Sequence, residues 1–123
     1  MSLFLVMSGG ALGAGARHLV GRATLATFGA SFPVGTLVVN LVGGLLMGCL
    51  VGMLAHLKAG EPWRLFLGVG VLGGFTTFSA FSLDAVTLAQ RGEALAATGY
   101  VAASVLGSIA ALLAGLALVK VAA

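Results

Sequence analysis

Long uncharged stretches constrain this chain more than any other feature. Residues 33–55 and 94–119 contain no Asp, Glu, Lys or Arg, and only 7% of the 123 residues are charged. A typical soluble domain is about 25% charged, so this chain lacks the polar surface that a water-soluble fold requires. A membrane-spanning helix needs about 20 apolar residues, and four such spans would leave only short loops. The sequence therefore predicts an all-α membrane protein with four transmembrane helices and no soluble domain.

The uncharged stretches define the expected helices. We predict one transmembrane domain, residues 1–123, with helices near 3–22, 33–55, 63–90 and 94–119. The first stretch has its basic residues after it and none before it, which is the reverse of a signal peptide. We therefore expect it to be a helix of the mature protein.

The third stretch contains a segment that fits a helix poorly. Residues 73–77 are two glycines, a phenylalanine and two β-branched threonines, which are weak helix formers. We expect the helix to break there, near the middle of the membrane. A break frees backbone carbonyls that protein, water or an ion must satisfy. Opposed carbonyls of this kind suit a dehydrated cation.

Two aromatic residues follow the expected break. Phe78 and Phe81 are three residues apart and share a helix face. Ordinary packing is one explanation of the pair. The positive edge of an aromatic ring offers another, because ring edges beside hydroxyl and amide donors can hold a small anion.

Uncharged polar residues in the other spans also need partners. Asn40 lies near the middle of the second span, with Thr36 one turn before it. An interhelical hydrogen bond is the simplest role for this asparagine. Tyr100, Ser104 and Ser108 are spaced by four on the fourth span and form one stripe. A single serine bonds back to its own helix, whereas three hydroxyls on one face favour a polar track.

The basic residues do not select an orientation in the membrane. Three lie on each side of the predicted spans: Lys58, Arg64 and Lys120 on one side, and Arg17, Arg22 and Arg91 on the other. Chance can produce this tie in a short chain. Dual topology also produces it, because the same chain then inserts both ways and pairs into an antiparallel dimer. Both interpretations remain open.

Small residues at four-residue spacing let helices approach closely. The chain contains four such ladders, at Gly44/Gly48/Gly52, Gly107/Ala111/Gly115, Gly9/Gly13 and Gly70/Gly74. They fit packing inside one chain and packing between two copies equally well.

The chain lacks the residues of an enzyme. Its only acids, Glu61, Asp84 and Glu93, lie outside the middle of the predicted spans, so no carboxylate pair is available for acid–base work. Cys49 is the only cysteine. No nucleophile motif or phosphate-binding glycine loop occurs. We predict a membrane protein that is not an enzyme and has no nucleic-acid partner.

Three motifs carry a resemblance to a known family. Residues 9–18 (GGALGAGARH), 35–40 (GTLVVN) and 73–82 (GGFTTFSAFS) are together similar to the CrcB/Fluc family of fluoride channels. The resemblance implies an antiparallel homodimer with two pores and a structural sodium ion at the dimer centre. It places the backbone carbonyls of Gly73 and Thr76 on that ion.

The resemblance also implies which residues fluoride passes. The ring edges that face the ion belong to Phe78 and Phe81, and Arg17 is a vestibule residue that draws anions in. The predicted fluoride pathway consists of Asn40, Phe78, Phe81, Tyr100, Ser104, Ser108, Thr36, Thr77 and Ser79.

The function that the resemblance implies is passive export of cytoplasmic fluoride down its electrochemical gradient, which confers fluoride resistance. The expected location is the plasma or inner membrane of a bacterium or archaeon. The expected partners are fluoride, sodium, the lipid bilayer and a second copy of the chain. Two positions depart from the family pattern: His18 stands where tyrosine is usual, and Asp84 stands where glutamate is usual.

Two other classes of membrane protein remain as alternatives. A proton-coupled small multidrug transporter has the same four-helix dimeric design but needs a carboxylate inside the membrane, and the first span contains none. A non-transporting assembly subunit would explain the glycine ladders but not the hydroxyl stripe.

Overall fold

The structure, a computed structural model, describes residues 1–122 and contains helices and no strand over that range. The helices are α1 (Ser2–Phe28), α2 (Val34–Leu57), α3 (residues 61–75), α4 (Phe78–Gln90) and α5 (Ala94–Ala122). Four segments are long and apolar enough to cross a membrane, because α3 and α4 together form one of them, Glu61–Gln90. The predicted all-α, four-span membrane fold is confirmed. The predicted domain also includes Ala123, which lies outside the described residues.

The first helix is longer than the sequence predicts. α1 ends at Phe28 rather than near residue 22, because residues 23–28 contain no glycine or proline. Gly29 then ends the helix with a φ of 78°, and its N–H bonds to the carbonyl of Leu25. A positive φ of this kind favours glycine. As a result, Arg22 lies inside the helix and not at its end.

The third span is interrupted where the sequence predicts a break. α3 is a π-helix over Arg64–Leu72 and returns to α-helical geometry over Gly73–Phe75. Thr76 and Thr77 are both extended, with ψ angles of 158° and 120°. The Thr77 hydroxyl then accepts the N–H of Ala80 at 3.1 Å and so caps the start of α4. The break therefore lies at residues 76–77, inside the predicted range of 73–77.

The glycine ladders pack inside the chain. α2 lies along α5, and α1 lies along α3. A methyl group added at Gly48 would overlap the Leu112 carbonyl of α5, and one added at Gly13 would overlap the Val71 carbonyl of α3. Gly115 on α5 approaches the α2 backbone in the same way. Members of all the predicted ladders therefore bring helices of one protomer together, and this settles the choice that the sequence left open for these contacts.

The buried core lies between α4 and α5, at the end of the helix bundle where α2 begins. It contains Phe81, Leu88, Ala97 and Tyr100, with Phe32 of the α1–α2 loop packed against it. Tyr100 has no exposed surface. Because Phe81 and Tyr100 belong to this core, the packing of the fold fixes two of the predicted site residues.

Candidate functional site

The break in the third span is held by one side chain of α2. The Asn40 Nδ2 donates a hydrogen bond to the Thr77 carbonyl at 3.1 Å, and the Thr77 N–H donates to the Asn40 Oδ1 at 2.9 Å. This pair of bonds replaces the two backbone partners that an unbroken helix would supply at Thr77. In a membrane such replacement is essential, since no water is present to bond the freed groups.

Asn40 therefore has a structural partner as well as a predicted place on the fluoride pathway. Its Oδ1 and one of its two N–H groups serve Thr77. A side-chain amide has a second N–H donor. The interhelical bond that the sequence favours for a lone membrane asparagine is present, and its partner is backbone.

Asn40 also lines a cavity of about 430 Å³ between α2, the break and α5. The cavity wall includes the two phenylalanines that follow the break and two of the three hydroxyls of the α5 stripe. The predicted pathway residues on it are Asn40, Thr77, Phe78, Phe81, Ser104 and Ser108. We call this space the stripe cavity. Thr36, Ser79 and Tyr100 do not line it, so the structure brings together most but not all of the predicted set.

Ser104 has the most informative side chain of the stripe cavity. The residue is 5% exposed, and its hydroxyl oxygen is buried without a hydrogen-bond partner among residues 1–122. Two other serines bond back to their own helix, Ser8 to the Phe4 carbonyl and Ser82 to the Phe78 carbonyl. An unpaired buried hydroxyl costs about 1–3 kcal/mol. Ser104 therefore has a donor that no hydrogen bond of 3.5 Å or shorter uses, beside the Tyr100 hydroxyl and at the wall of the stripe cavity, where it is suited to an incoming acceptor.

The aromatic rings form a continuous row beside the stripe cavity. Ring centroids are 5.5 Å apart between Phe78 and Phe81, and 5.4 Å apart between Phe81 and Tyr100. Phe32 meets Tyr100 edge-on at 5.5 Å. Phe81 is 8% exposed, whereas Phe78 is 77% exposed in the single chain. The two phenylalanines therefore share a helix face but have very different surroundings.

Tyr100 and Asp84 form a contact that the sequence did not predict. The Tyr100 hydroxyl donates to the Asp84 Oδ2 at 3.1 Å. One feature of the sequence could have drawn attention to it: Asp84 is an acid within a long apolar stretch and therefore needs a partner. Of the α5 stripe, the first hydroxyl is thus bonded to a carboxylate, while the second lies beside the first and has no hydrogen bond of 3.5 Å or shorter.

A second cavity of about 470 Å³ opens on the other side of the break. It is lined by Arg17, His18 and Arg22 of α1, and by Thr36 and Thr77 among others. We call it the basic cavity. Thr77 lines both cavities. Thr36 lines the basic cavity but not the stripe cavity. The predicted vestibule residue and one predicted pathway hydroxyl therefore lie on this side.

Arg17 has a specific partner at the break. Its Nε donates to the Gly74 carbonyl at 3.2 Å, close to the end of α3. A cation at the carboxyl end of a helix interacts favourably with the unpaired carbonyls there. Ser79, by contrast, is exposed and approaches only the Thr77 hydroxyl, at 3.3 Å.

The predicted cation ligands are the backbone carbonyls of Gly73 and Thr76, and Thr76 also lines the stripe cavity. No hydrogen bond outside the helices of residues 1–122 ends on the carbonyl of Gly73 or of Thr76. Both the N–H and the hydroxyl of Thr76 bond to Leu72 instead. Hard cations bind oxygen ligands, and backbone carbonyls serve them well. In the described part of the chain no three His, Cys, Asp or Glu side chains cluster, so a cation here would depend on these carbonyls.

Comparison with known proteins identifies the family. The family described as "CrcB-like protein, Camphor Resistance (CrcB)" matches residues 4–116. The chain belongs to the CrcB family. A member from Sphingopyxis alaskensis, named "Fluoride-specific ion channel FluC", is 58% identical over 97% of this chain and 95% of its own length. A member of the same name from Caulobacter vibrioides is 54% identical over 93% of this chain and 91% of its own length.

The predicted family is therefore confirmed over almost the whole chain. CrcB relatives carry the name of an ion channel rather than of an enzyme, as the sequence predicted. With its four apolar spans, the chain is a multi-pass membrane protein.

Replacing Asn40 by leucine, which has a similar size but no polar atoms, should destabilise the protein by about 2–4 kcal/mol. The reason is that both backbone groups of Thr77 would lose their partner at about 1–3 kcal/mol each. Thermal unfolding in detergent measures the effect. Ser108→Ala is the matched control, because that hydroxyl lines the same cavity and lies outside the break. Equal midpoints for Asn40→Leu and wild type would show that Asn40 does not hold the break.

Proposed function

We propose that this chain forms a fluoride-selective channel, and the unpartnered hydroxyl of Ser104 in the stripe cavity is the observation that carries the proposal. Fluoride is small and strongly hydrated, so a selective path must replace its water with compact donors. Ser104 supplies such a donor from α5. The relatives from two organisms are named fluoride-specific channels, which supports the same ion here.

The wall of the stripe cavity suits passage rather than tight binding. It contains hydroxyls, an amide and aromatic rings but no charged side chain. Full positive charge beside the path would hold an anion too firmly, whereas conduction requires sites that are weak enough to leave. The ring edges of Phe78 and Phe81 add a weak positive potential. Transport is therefore passive, and cytoplasmic fluoride leaves down its electrochemical gradient.

The channel works as an antiparallel homodimer with two pores, in the plasma or inner membrane. Phe78 is 77% exposed in the single chain although it lies on the predicted path, and a second copy would cover it. The tie of three basic residues on each side gives neither orientation an advantage. Since the glycine ladders are used within the protomer, the broken third span is the face that we assign to the dimer.

A structural sodium ion at the dimer centre completes the proposal. Gly73 is exposed in the single chain, and its carbonyl and that of Thr76 lack hydrogen bonds outside the helices. Two copies would bring two such sets of oxygens together. The ion would supply the partner that these carbonyls need inside a membrane.

The direct test of the function is anion efflux from liposomes that contain the purified protein. Fluoride should leave at a rate far above that of protein-free liposomes, and chloride should not. Ion-selective electrodes for the two anions measure both rates on the same preparation. Equal rates for fluoride and chloride would exclude a fluoride-selective channel.

Phe81→Ile should slow fluoride efflux by about tenfold or more, because about 1.4 kcal/mol of lost ring-edge stabilisation corresponds to a factor of ten. Assembly should persist, as judged by gel filtration. Phe4→Ile is the matched control, because Phe4 is exposed near the start of α1 and far from the break. Wild-type efflux from a well-assembled Phe81→Ile protein would remove Phe81 from the path.

Exchange of sodium for N-methylglucamine at constant ionic strength should lower fluoride efflux or the dimer fraction, since that cation is too large for a cage of carbonyls. Gel filtration and efflux follow the two quantities separately. If both stay constant after exhaustive removal of sodium, the ion is not part of the assembly.

A further inference from the structure

The basic cavity contains two residues that the proposed function does not use, His18 and Arg22. They follow Arg17 on α1, and Gly21 lies on the same cavity wall. On that wall, Arg17 and Gly21 are four residues apart, as are His18 and Arg22, which puts the set on one helix face. The facing wall contains Thr36 and Thr77. The basic cavity therefore extends from the basic face of α1 to Thr77, which also lines the stripe cavity.

No acidic residue lines the basic cavity. Asp84 lines a neighbouring cavity that shares Thr36 with the basic cavity, and it accepts a hydrogen bond from Tyr100. On the other elements packed against α1, the titratable groups lie at the far ends: His56 in the last turn of α2, and Glu61 at the start of α3. Glu61 is paired there with Arg64. The charged side chains that line the basic cavity itself therefore all belong to α1, while Asp84 and Arg91 line the neighbouring cavity.

We propose that His18 and Arg22 join Arg17 in a vestibule that concentrates fluoride, and that His18 makes the rate of anion capture depend on pH. This inference rests on the proposed function. Arg17 is tied to the Gly74 carbonyl through its Nε, so part of its donor capacity is committed to the break. Arg22 and His18 are exposed residues of the same face and provide charge that is not committed in this way.

The size of the effect follows from the charge and the distance. Histidine is the side chain that ordinarily gains its charge as pH falls from about 8 to about 5. One unit charge acting across roughly 7–10 Å of water changes the local concentration of a monovalent anion about two- to threefold. Such exposed charges are screened as salt rises, because the Debye length falls from about 10 Å at 0.1 M to about 3 Å at 1 M.

The experiment compares fluoride efflux near pH 5.5 with efflux near pH 8, with the same buffer on both sides of the liposome membrane. Protein-free liposomes are subtracted at each pH, because hydrogen fluoride crosses a bilayer unaided. The wild type should be about two- to threefold faster at the lower pH. His18→Tyr and His18→Gln should lose that ratio, and the ratio should shrink toward one for the wild type at high salt.

Arg22→Gln should slow efflux at both pH values by a similar factor and keep the pH ratio. Lys120→Gln is the matched control, because it removes one positive charge in the last turn of α5, outside the basic cavity. It should change neither the efflux rate nor the pH ratio.

A wild-type pH ratio in both His18 variants would overturn the role of His18. Unchanged rates in Arg22→Gln would remove Arg22 from the vestibule. Absence of wild-type fluoride efflux at either pH would instead overturn the proposed function.

Discussion

The two hydrogen bonds between Asn40 and Thr77 are the interaction on which the rest of the site depends. A helix that unwinds inside a membrane exposes backbone groups that water cannot satisfy, and each such group costs several kcal/mol. The Asn40 side chain alone bonds to both the carbonyl and the N–H of Thr77. Because these bonds remove that cost, the helix of the third span can end at Phe75 and begin again at Phe78. Phe78 and Phe81 then lie in the first turn of α4, and the carbonyls of Gly73 and Thr76 accept no hydrogen bond outside the helices.

The site separates neutral donors from full charges. The stripe cavity contains the free Ser104 hydroxyl and the ring of Phe81 but no ionised side chain. The basic side chains lie in the other cavity, beyond Thr77. This order suits an anion path, because charge at the mouth raises the local concentration of the ion, whereas charge inside would retain it. The one acid near the path, Asp84, is bonded to Tyr100.

Local patterns in the sequence predict the fold well and the partners of the polar groups poorly. Hydropathy gives the four spans, and the Gly-Gly-Phe-Thr-Thr run gives the break, because both follow from the preferences of neighbouring residues. Asn40 and Thr77 are far apart in the chain, so spacing could show that the amide needs a partner but not which one. The same holds for Tyr100 with Asp84, and for the glycine ladders, whose spacing is alike for contacts within and between chains.

The most direct test of the central claim is an experimental structure of the protein in lipid nanodiscs with sodium fluoride. The account predicts two antiparallel copies, anion density within hydrogen-bonding distance of the Ser104 hydroxyl, and cation density between the carbonyls of residues 73 and 76 of both copies. Asn40 should still hold Thr77. Parallel copies, or a Ser104 hydroxyl that bonds to its own helix with no anion nearby, would contradict the account.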